Sequence, residues 1–562
     1  MNTIRNKLLV LFTTAALLIP AFQARAQVAS DKPMLVVAIS SVKELADDVA
    51  FLAKLAEIPG IDEQLPLMLE LFGQGLDMTK PIGAVIKAKG LSIEAIAFIP
   101  VTNFQLALQL VEGTLGPAQD AGDGVFQLDT PLATVFMKSA GGYAYIAQAK
   151  EQLLSLPADP VKMLGGLEKK YDFAIQANLQ AIPELYLTLV ETQLQTGIEL
   201  GLQPLPGESD EQYELRRQIA KQQMDQLIKA IHEIDTLTMG LSIDRPGKNV
   251  HLDFSVTAVE GTDLARQSAL LQDMETAFSG FLPDNAAIRM NVVQHLAQED
   301  IAPVELMLQT LVTNATAELD NDETLTTAQR EALKGALTDT IAVLVDTLKG
   351  EKIDGAASVT FTGSQMVAIG GFKVVNGKKL DSALKTVLQL AVEEDELGGV
   401  VEIKFDAAQH KGTNFHTLSI PLPEYPEEPQ KIFGPTVEVV IGISDTGAYV
   451  GVGQNSLAAV KAAIDASSEP KIVAPVEFTA SVIKCIKFAA AVAPDDIPAE
   501  GKELIAKISS LTGEDNISLK AEPIPNGSRF RIQVDEMAIK AIGLAIQGAM
   551  RLVDAPPAPL GF

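Results

Sequence analysis

Short runs of β-branched and aromatic residues alternate along the chain with stretches in which apolar side chains recur every three or four positions. The first run, "MLVVAIS" (34–40), reads as a strand bounded upstream by Asp31-Lys32-Pro33. Val42, Leu45, Val49, Leu52 and Leu55 then mark one helical face, which Pro59-Gly60 ends. A second short helix reaches Gly73, and "IGAVIKAK" and "IEAIAFIPV" are strands separated at Gly90. Asn103 is placed to cap the helix "FQLALQLVEGTL", and "GVFQL", "ATVFMK" and "YAYIAQ" follow as strands, with a helix near Glu151–Leu156. The strand "YDFAIQANL" then leads into a helical region from Pro183 to Ile234. A hairpin turning at Pro246-Gly247 and a helix from Thr262 to Phe278 complete this series.

The same order then begins again. "AAIRMNVVQ" is a strand, residues 299–349 form two helices, and "DGAASVTF" with "QMVAIGGFKVV" is a strand pair. Asn376 precedes a helix as Asn103 did. Strands follow from Val400 to Ile420, at "TVEVVIGIS" and at "AYVGVG", then a helix near Leu457. "VEFTASVIK" sets Phe478 against Phe173, and a hairpin at Pro525-Asn526-Gly527 leads to a last helix, Glu536–Leu552. Asn103 and Asn376 are 273 positions apart, Tyr145 and Tyr449 are 304, and the hairpin prolines Pro246 and Pro525 are 279. These changes fall in the segment 390–435 and in helical arms of unequal length, 183–234 and 486–512. The pattern predicts an α+β fold of two pseudo-repeated halves, 34–281 and 286–552. Each is expected to hold a largely antiparallel sheet covered by amphipathic helices. The proline-rich end, 553–562, is expected to be a flexible tail.

The chain ends and totals set the compartment. "MNTIRNK", the apolar run from Leu8 to Phe22 and Ala24-Arg25-Ala26 compose a secretory signal, residues 1–26, cleaved after Ala26. That run is shorter than the roughly 20 residues a spanning helix needs, so no transmembrane anchor is expected after cleavage. The expected location is therefore the periplasm or the extracellular space. Cys485 is the only cysteine, which rules out an internal disulfide, so an apolar core must hold the fold. Apolar residues at 47% are enough to build one. A formal charge of −28 repels nucleic acid and anionic headgroups, and no nucleic-acid partner is expected.

Candidate chemistry is sparse. Of the five histidines only His410 and His416 lie close together, beside Asp406 and Glu402 in a hairpin whose turn is Lys411-Gly412. A zinc site needs three or four converging ligands, and solvated hairpin residues are the better reading, so no metal site is assigned. Asp320 and Asp322 lack the central glycine and twelfth-position Glu of a calcium loop; Thr326 and Gln329 read instead as a capping box. No nucleophile elbow or phosphate loop is present, and no catalytic residue or cofactor is assigned. One helix carries Leu215, Ile219, Leu227, Ile228 and Ile231 on a single stripe, and its expected counterpart carries Leu333, Leu337, Ile341, Leu344 and Leu348. Such stripes ordinarily cover a sheet face; the alternative is an arm that grips a partner or an apolar ligand.

The runs "GLDMTKPIGAVI", "IPVTNFQLALQLV", "DAGDGVFQL", "GGYAYIAQ" and "LPADP", between residues 75 and 160, resemble members of an uncharacterised family of large exported bacterial proteins. The resemblance implies export and a repeated α+β fold, and brings no activity or binding residue with it. Two functions are consistent with all of this. One is a noncatalytic envelope protein, either a structural or interaction module for a protein partner or a carrier of an apolar ligand. The other is an exported hydrolase with a dispersed active site.

Overall fold

The computed structural model describes residues 32–554 other than 59, 90–91, 131–132, 205, 207, 297, 351, 394–400, 424–426 and 495–496. The expected signal segment 1–26, and the expected tail beyond Asp554, lie outside the described residues, as do Pro59, Gly90 and Val400. The chain divides into two compact units. One comprises residues up to Ala265 with Ile524–Arg529; the other comprises Arg266–Pro523 with Phe530 onward.

Among its described residues the first unit holds ten strands: β1 Leu35–Ile39, β2 Ile82–Lys89, β3 Ser92–Pro100, β4 Gln119–Gly122, β5 Val125–Asp129, β6 Thr134–Ala140, β7 Tyr143–Ala147, β8 Phe173–Asn178, β9 Ile234–Asp244 and β10 Asn249–Ala258. They pair antiparallel in the order β4-β5-β6-β7-β3-β2-β1-β8-β9-β10. In the second unit the strands are β11 Ile288–His295, β12 Lys352–Thr362, β13 Gln365–Lys373, β14 Glu402–His410, β15 Thr413–Pro421, β16 Thr436–Ile443, β17 Gly447–Val452, β18 Val476–Ser481 and β19 Asn516–Ile524, continued past the Asn526 turn by β20 Gly527–Asp535, the stretch Ile524–Arg529 at their junction being counted with the first unit. Their order is β14-β15-β16-β17-β13-β12-β11-β18-β19-β20. Each strand thus stands where the strand ten labels earlier stands in the first unit.

Backbone hydrogen bonds give the two strand orders a register on which they can be compared. Val101 N–H donates to Gly142 at 2.9 Å and Val374 N–H to Thr446 at 3.1 Å; superimposing the two strand orders on these bonds sets Tyr145 against Tyr449 and Asn103 against Asn376. The Phe173–Phe478 match does not hold. Ser40 N–H donates to the Asp172 carbonyl and Val293 N–H to that of Pro475, which sets Phe478 against Ile175, two residues along.

The helices follow the same order. α1 Val42–Leu55 and α2 Ile61–Phe72 follow β1, and α3 Phe104–Leu115 follows β3. α4 Glu184–Gly201 and α5 Asp210–Glu233 connect β8 to β9, and α6 Asp263–Ala269 follows β10. In the second unit come α7 Gln298–Asn321, α8 Thr327–Lys349, α9 Gly377–Glu393, α10 Glu428–Phe433, α11 Ser456–Ala466, α12 Val482–Val492, α13 Ala499–Ser509 and α14 Glu536–Asp554. Their starts have local causes. Ser41 Oγ accepts from Glu44 N–H, Asn103 Oδ1 from Gln105 and Leu106, and Thr326 and Gln329 close the expected capping box at 2.7 and 3.3 Å. The leucine stripe of α8 is not the counterpart of α5. By strand order α7 and α8 stand where α1 and α2 do, and α12 and α13 where α4 and α5 do.

Two expected helices are shorter than their periodicity suggested. Lys150–Leu153 is a 3₁₀ turn, because Pro157 and Pro160 stop an α-helix from continuing. The helix expected over Thr262–Phe278 ends at Ala269; Asp273 adopts φ 50°, and the chain beyond turns Phe278 and Phe281 into the second unit's core. That core joins them to Phe415, Val440 and Val460. In the first unit Val36, Ala38, Val85, Phe98 and Tyr145 bury against Leu153, Leu164 and Leu167, and Tyr145 donates its hydroxyl to the Pro157 carbonyl. Gly371 lies directly beneath the Phe278 ring, where a Cβ would come within 2.7 Å of it.

Candidate ligand face and the polar clusters

Antiparallel pairing puts directly opposed residues on one face of the sheet. In the second unit one such row runs Leu519, Phe478, Met290, Ala357, Gly370, Val450, Ile441 and His416 across β19, β18, β11, β12, β13, β17, β16 and β15. Four of its large apolar members are open to solvent, Leu519 37%, Phe478 38%, Met290 46% and Val450 41%, while Ile441 is half-buried. Phe372, two residues from Gly370 on the same face, is 44% exposed. These side chains present an apolar patch on the order of 300–400 Å², within the range of the largest patch on a typical monomer, which is often functional. Between Met290 and Val450 the row drops to Ala357 and Gly370, a valley three strand spacings, or about 14 Å, from one wall strand to the other.

The corresponding row of the first unit reads Met239, Ile175, Val37, Ala84, Ala97, Ile146, Met137 and Phe126. Large and small residues fall at the same places. The two rows part company at their end, where Phe126 stands in the first unit and His416 in the second.

His416 is fully buried and both of its ring nitrogens are engaged. Nε2 lies 2.7 Å from Asp381 Oδ1, and Nδ1 accepts the backbone N–H of Asp406 at 3.1 Å. A nitrogen that accepts from an amide carries no proton, so the proton of the neutral ring is on Nε2 and is donated to Asp381. An irregularity of β14 between Lys404 and Ala408, with φ 49° at Asp406 itself, brings Asp406 beside the ring while its side chain stays 49% exposed. Lys385, one helical turn after Asp381 on α9, places Nζ 3.0 Å from Asp381 Oδ2 and from both Asp406 oxygens. Burial works to raise the Asp381 pKa, but hydrogen bonds from His416 and Lys385 outweigh it and hold the carboxyl below its usual range. Burial likewise opposes the Lys385 charge, and its two carboxylate partners outweigh it and raise its pKa.

Of the four residues considered for zinc, only Asp406 and His416 come together. Donor atoms of Asp381, Asp406 and His416 lie within 4.8 Å of one another, and Lys385 already supplies their cation. His410 turns away to Asp465, 2.9 Å distant, and Glu402 pairs with Lys404. Asp381 and Lys385 escaped the sequence reading, although their i,i+4 spacing on the helix after Asn376 was a usable signal. The first unit fills the corresponding places with Leu108 and Phe126, both in an apolar cluster. The strand order therefore does not itself demand a polar group here.

A second cluster lies in the first unit. Asp48 of α1 is 1% exposed, and Arg245 in the β9–β10 turn reaches it at 2.9 Å. Asp172, just before β8, is also buried and accepts from Ile243 N–H at 2.6 Å. Burial, followed by the neighbouring Asp172 charge, pushes the Asp48 carboxyl up to about 7 against the pull of Arg245. A carboxylate pair with one raised pKa is a common acid–base arrangement. These two carboxyls are sealed from solvent, so the arrangement serves the packing of α1. In the His416 cluster, too, no ring nitrogen is free to take a substrate proton.

Of the α5 stripe, Ile219, Ile228 and Ile231 are half-buried and Leu227 is 45% exposed. α4 buries no side chain, and Met224 is the one buried side chain among the described residues of α5. Among the described residues no helix is long and apolar enough to cross a membrane. Set against protein-family models, curated proteins and solved structures, the chain matches none of them.

Proposed function

We propose that the protein is an exported, noncatalytic binding module that holds a long-chain apolar molecule along the open sheet face of its second unit. The observation that carries this reading is the exposed row Leu519, Phe478, Met290 and Val450 with its Ala357–Gly370 valley. Burying such side chains against an apolar ligand gains roughly 25 cal/mol per Å² removed from water. The secretory pattern of residues 1–26 supports export, and the resemblance to exported bacterial proteins agrees with it. The common strand order and the matched large and small rows support descent of the two units from one duplicated plan.

Native mass spectrometry of freshly purified protein tests the reading, together with titration of the environment-sensitive dye N-phenyl-1-naphthylamine. We expect a bound apolar molecule and saturable dye uptake, weakened at least tenfold by Met290→Asp or Phe478→Asp, since either change puts a charge in the row. Dye uptake unaffected by both substitutions, with no co-purifying molecule, refutes it.

A further inference from the structure

A different surface, the α4–α5 arm, carries a second inference. α4 is 18 residues long, about 27 Å, and has apolar side chains on two sides. Leu187, Leu194 and Ile198 are half-buried, Ile198 across the groove from α5, whereas Leu185 at 45%, Leu189 at 52%, Val190 at 48% and Leu200 at 69% face solvent. Between the helices an open groove of about 500 Å³ is lined by Ile198, Leu202, Met224 and Leu227. A Cβ added at Gly197 or Gly201 would meet nothing within 4 Å, so another helix backbone has room to approach there. Helices of this kind gain most of their stability from packing of an apolar face, and one face of α4 lacks that packing.

We propose that this arm is a self-association surface, in which α4 of one copy lies along α5 of a second copy to close a four-helix bundle. The charges select this partner. α4 exposes Glu184 and Glu199 and carries no base, Glu191 being paired with His232 of its own copy's α5 at 2.7 Å, while the mid-section of α5 exposes Lys221 and Arg217, the latter 3.4 Å from Glu214. Antiparallel packing of α4 on another α4 would instead bring the Glu184 end over the Glu199 end, acid against acid. A two-fold arrangement of α4 on α5 is self-complementary, satisfies both apolar stripes at once and closes without leaving an open end.

Sedimentation velocity on the full chain from about 1 to about 50 µM provides the test. We expect a concentration-dependent dimer that Leu189→Asp with Leu200→Asp converts to monomer, while the circular dichroism melt shows the variant still folded. Glu199→Lys should weaken the dimer roughly tenfold, and adding Arg217→Glu and Lys221→Glu to it should restore part of the loss, which a merely misfolded arm would not allow. A wild-type chain that is monomeric throughout this range overturns the inference. So does a dimer that survives the double leucine substitution, or a monomer whose arm is filled by a co-purifying small molecule.

Discussion

Asp48 gives the sharpest quantitative expectation. Its carboxyl is enclosed beside Asp172, with Arg245 the nearest cation and Glu44 and Asp47 on the same helix. A pKa raised from 3.8 to about 7 on folding means that the folded state holds the proton more tightly than the unfolded chain does. The stabilisation is therefore fully present below pH 4 and is lost as pH rises through 7. At 1.36 kcal/mol per pKa unit, the first unit should lose about 3 kcal/mol between pH 5 and pH 8 through this group. Asp48→Asn keeps the shape and cannot ionise, so the variant should lack that loss and exceed the wild type in stability at pH 8. Urea unfolding followed by tyrosine fluorescence is a suitable assay: the chain has no tryptophan, and Tyr143, Tyr145, Tyr171, Tyr186 and Tyr213 of its seven tyrosines belong to the first unit. Parallel pH dependences for variant and wild type, or a variant less stable at pH 8, would refute the reasoning.

Three further outcomes are expected. Lys385→Met leaves Asp381 and Asp406 facing each other without their cation and should destabilise the second unit by about 1–3 kcal/mol at pH 7. The deficit should hold down to about pH 4 and shrink only as pH falls below it, because a carboxyl held below its ordinary value of 3.8 contributes stability until it is protonated in the folded state; a deficit constant through that acid range in urea unfolding speaks against the ion network. Gly371→Ala drives a Cβ against the Phe278 ring and should cost about 1–3 kcal/mol in a thermal melt, whereas an unchanged melt would mean that the ring yields freely. Asp381→Leu alone should strand the buried His416 Nε2–H at about 1–3 kcal/mol, and His416→Phe added to it should recover most of that loss; additive costs in the double-mutant cycle would break the argument.

Much of the fold was legible because its signals are local. Strand runs, the Asn103 cap, the Thr326–Gln329 box and the hairpin turns each depend on neighbours within a few residues. The failures share a cause. The stretch 270–278 continues a helical pattern, but Phe278 and Phe281 are claimed by a core built from β13, β15 and β16, and that demand comes from residues far along the chain. Phe478 looked like Phe173 because both sit in similar strands. A two-residue slip in a strand keeps the same side chains on the same face, so only the hydrogen-bond register separates the two alignments. Strand order and the pairing of Asp381 with His416 are products of long-range closure, and no run of residues announces them.

The same strand order built twice in one chain lets each unit serve as a control for the other. At the end of the long row the first unit is closed by Leu108 and Phe126, while the second uses Asp381 and His416 with Lys385 and Asp406 around them. Before β8 the first unit buries Asp172, where the hydrogen-bond correspondence puts Pro475 in the second. Since one unit folds with apolar groups at the place where the other buries charge, neither cluster is a requirement of the architecture. Burying such groups costs desolvation free energy that apolar side chains avoid. Each unit therefore accepts a desolvation cost at a place in the strand order where the other unit has apolar groups. In the second unit that cost falls at the His416 end of the row whose middle, from Leu519 to Val450, stands open to solvent.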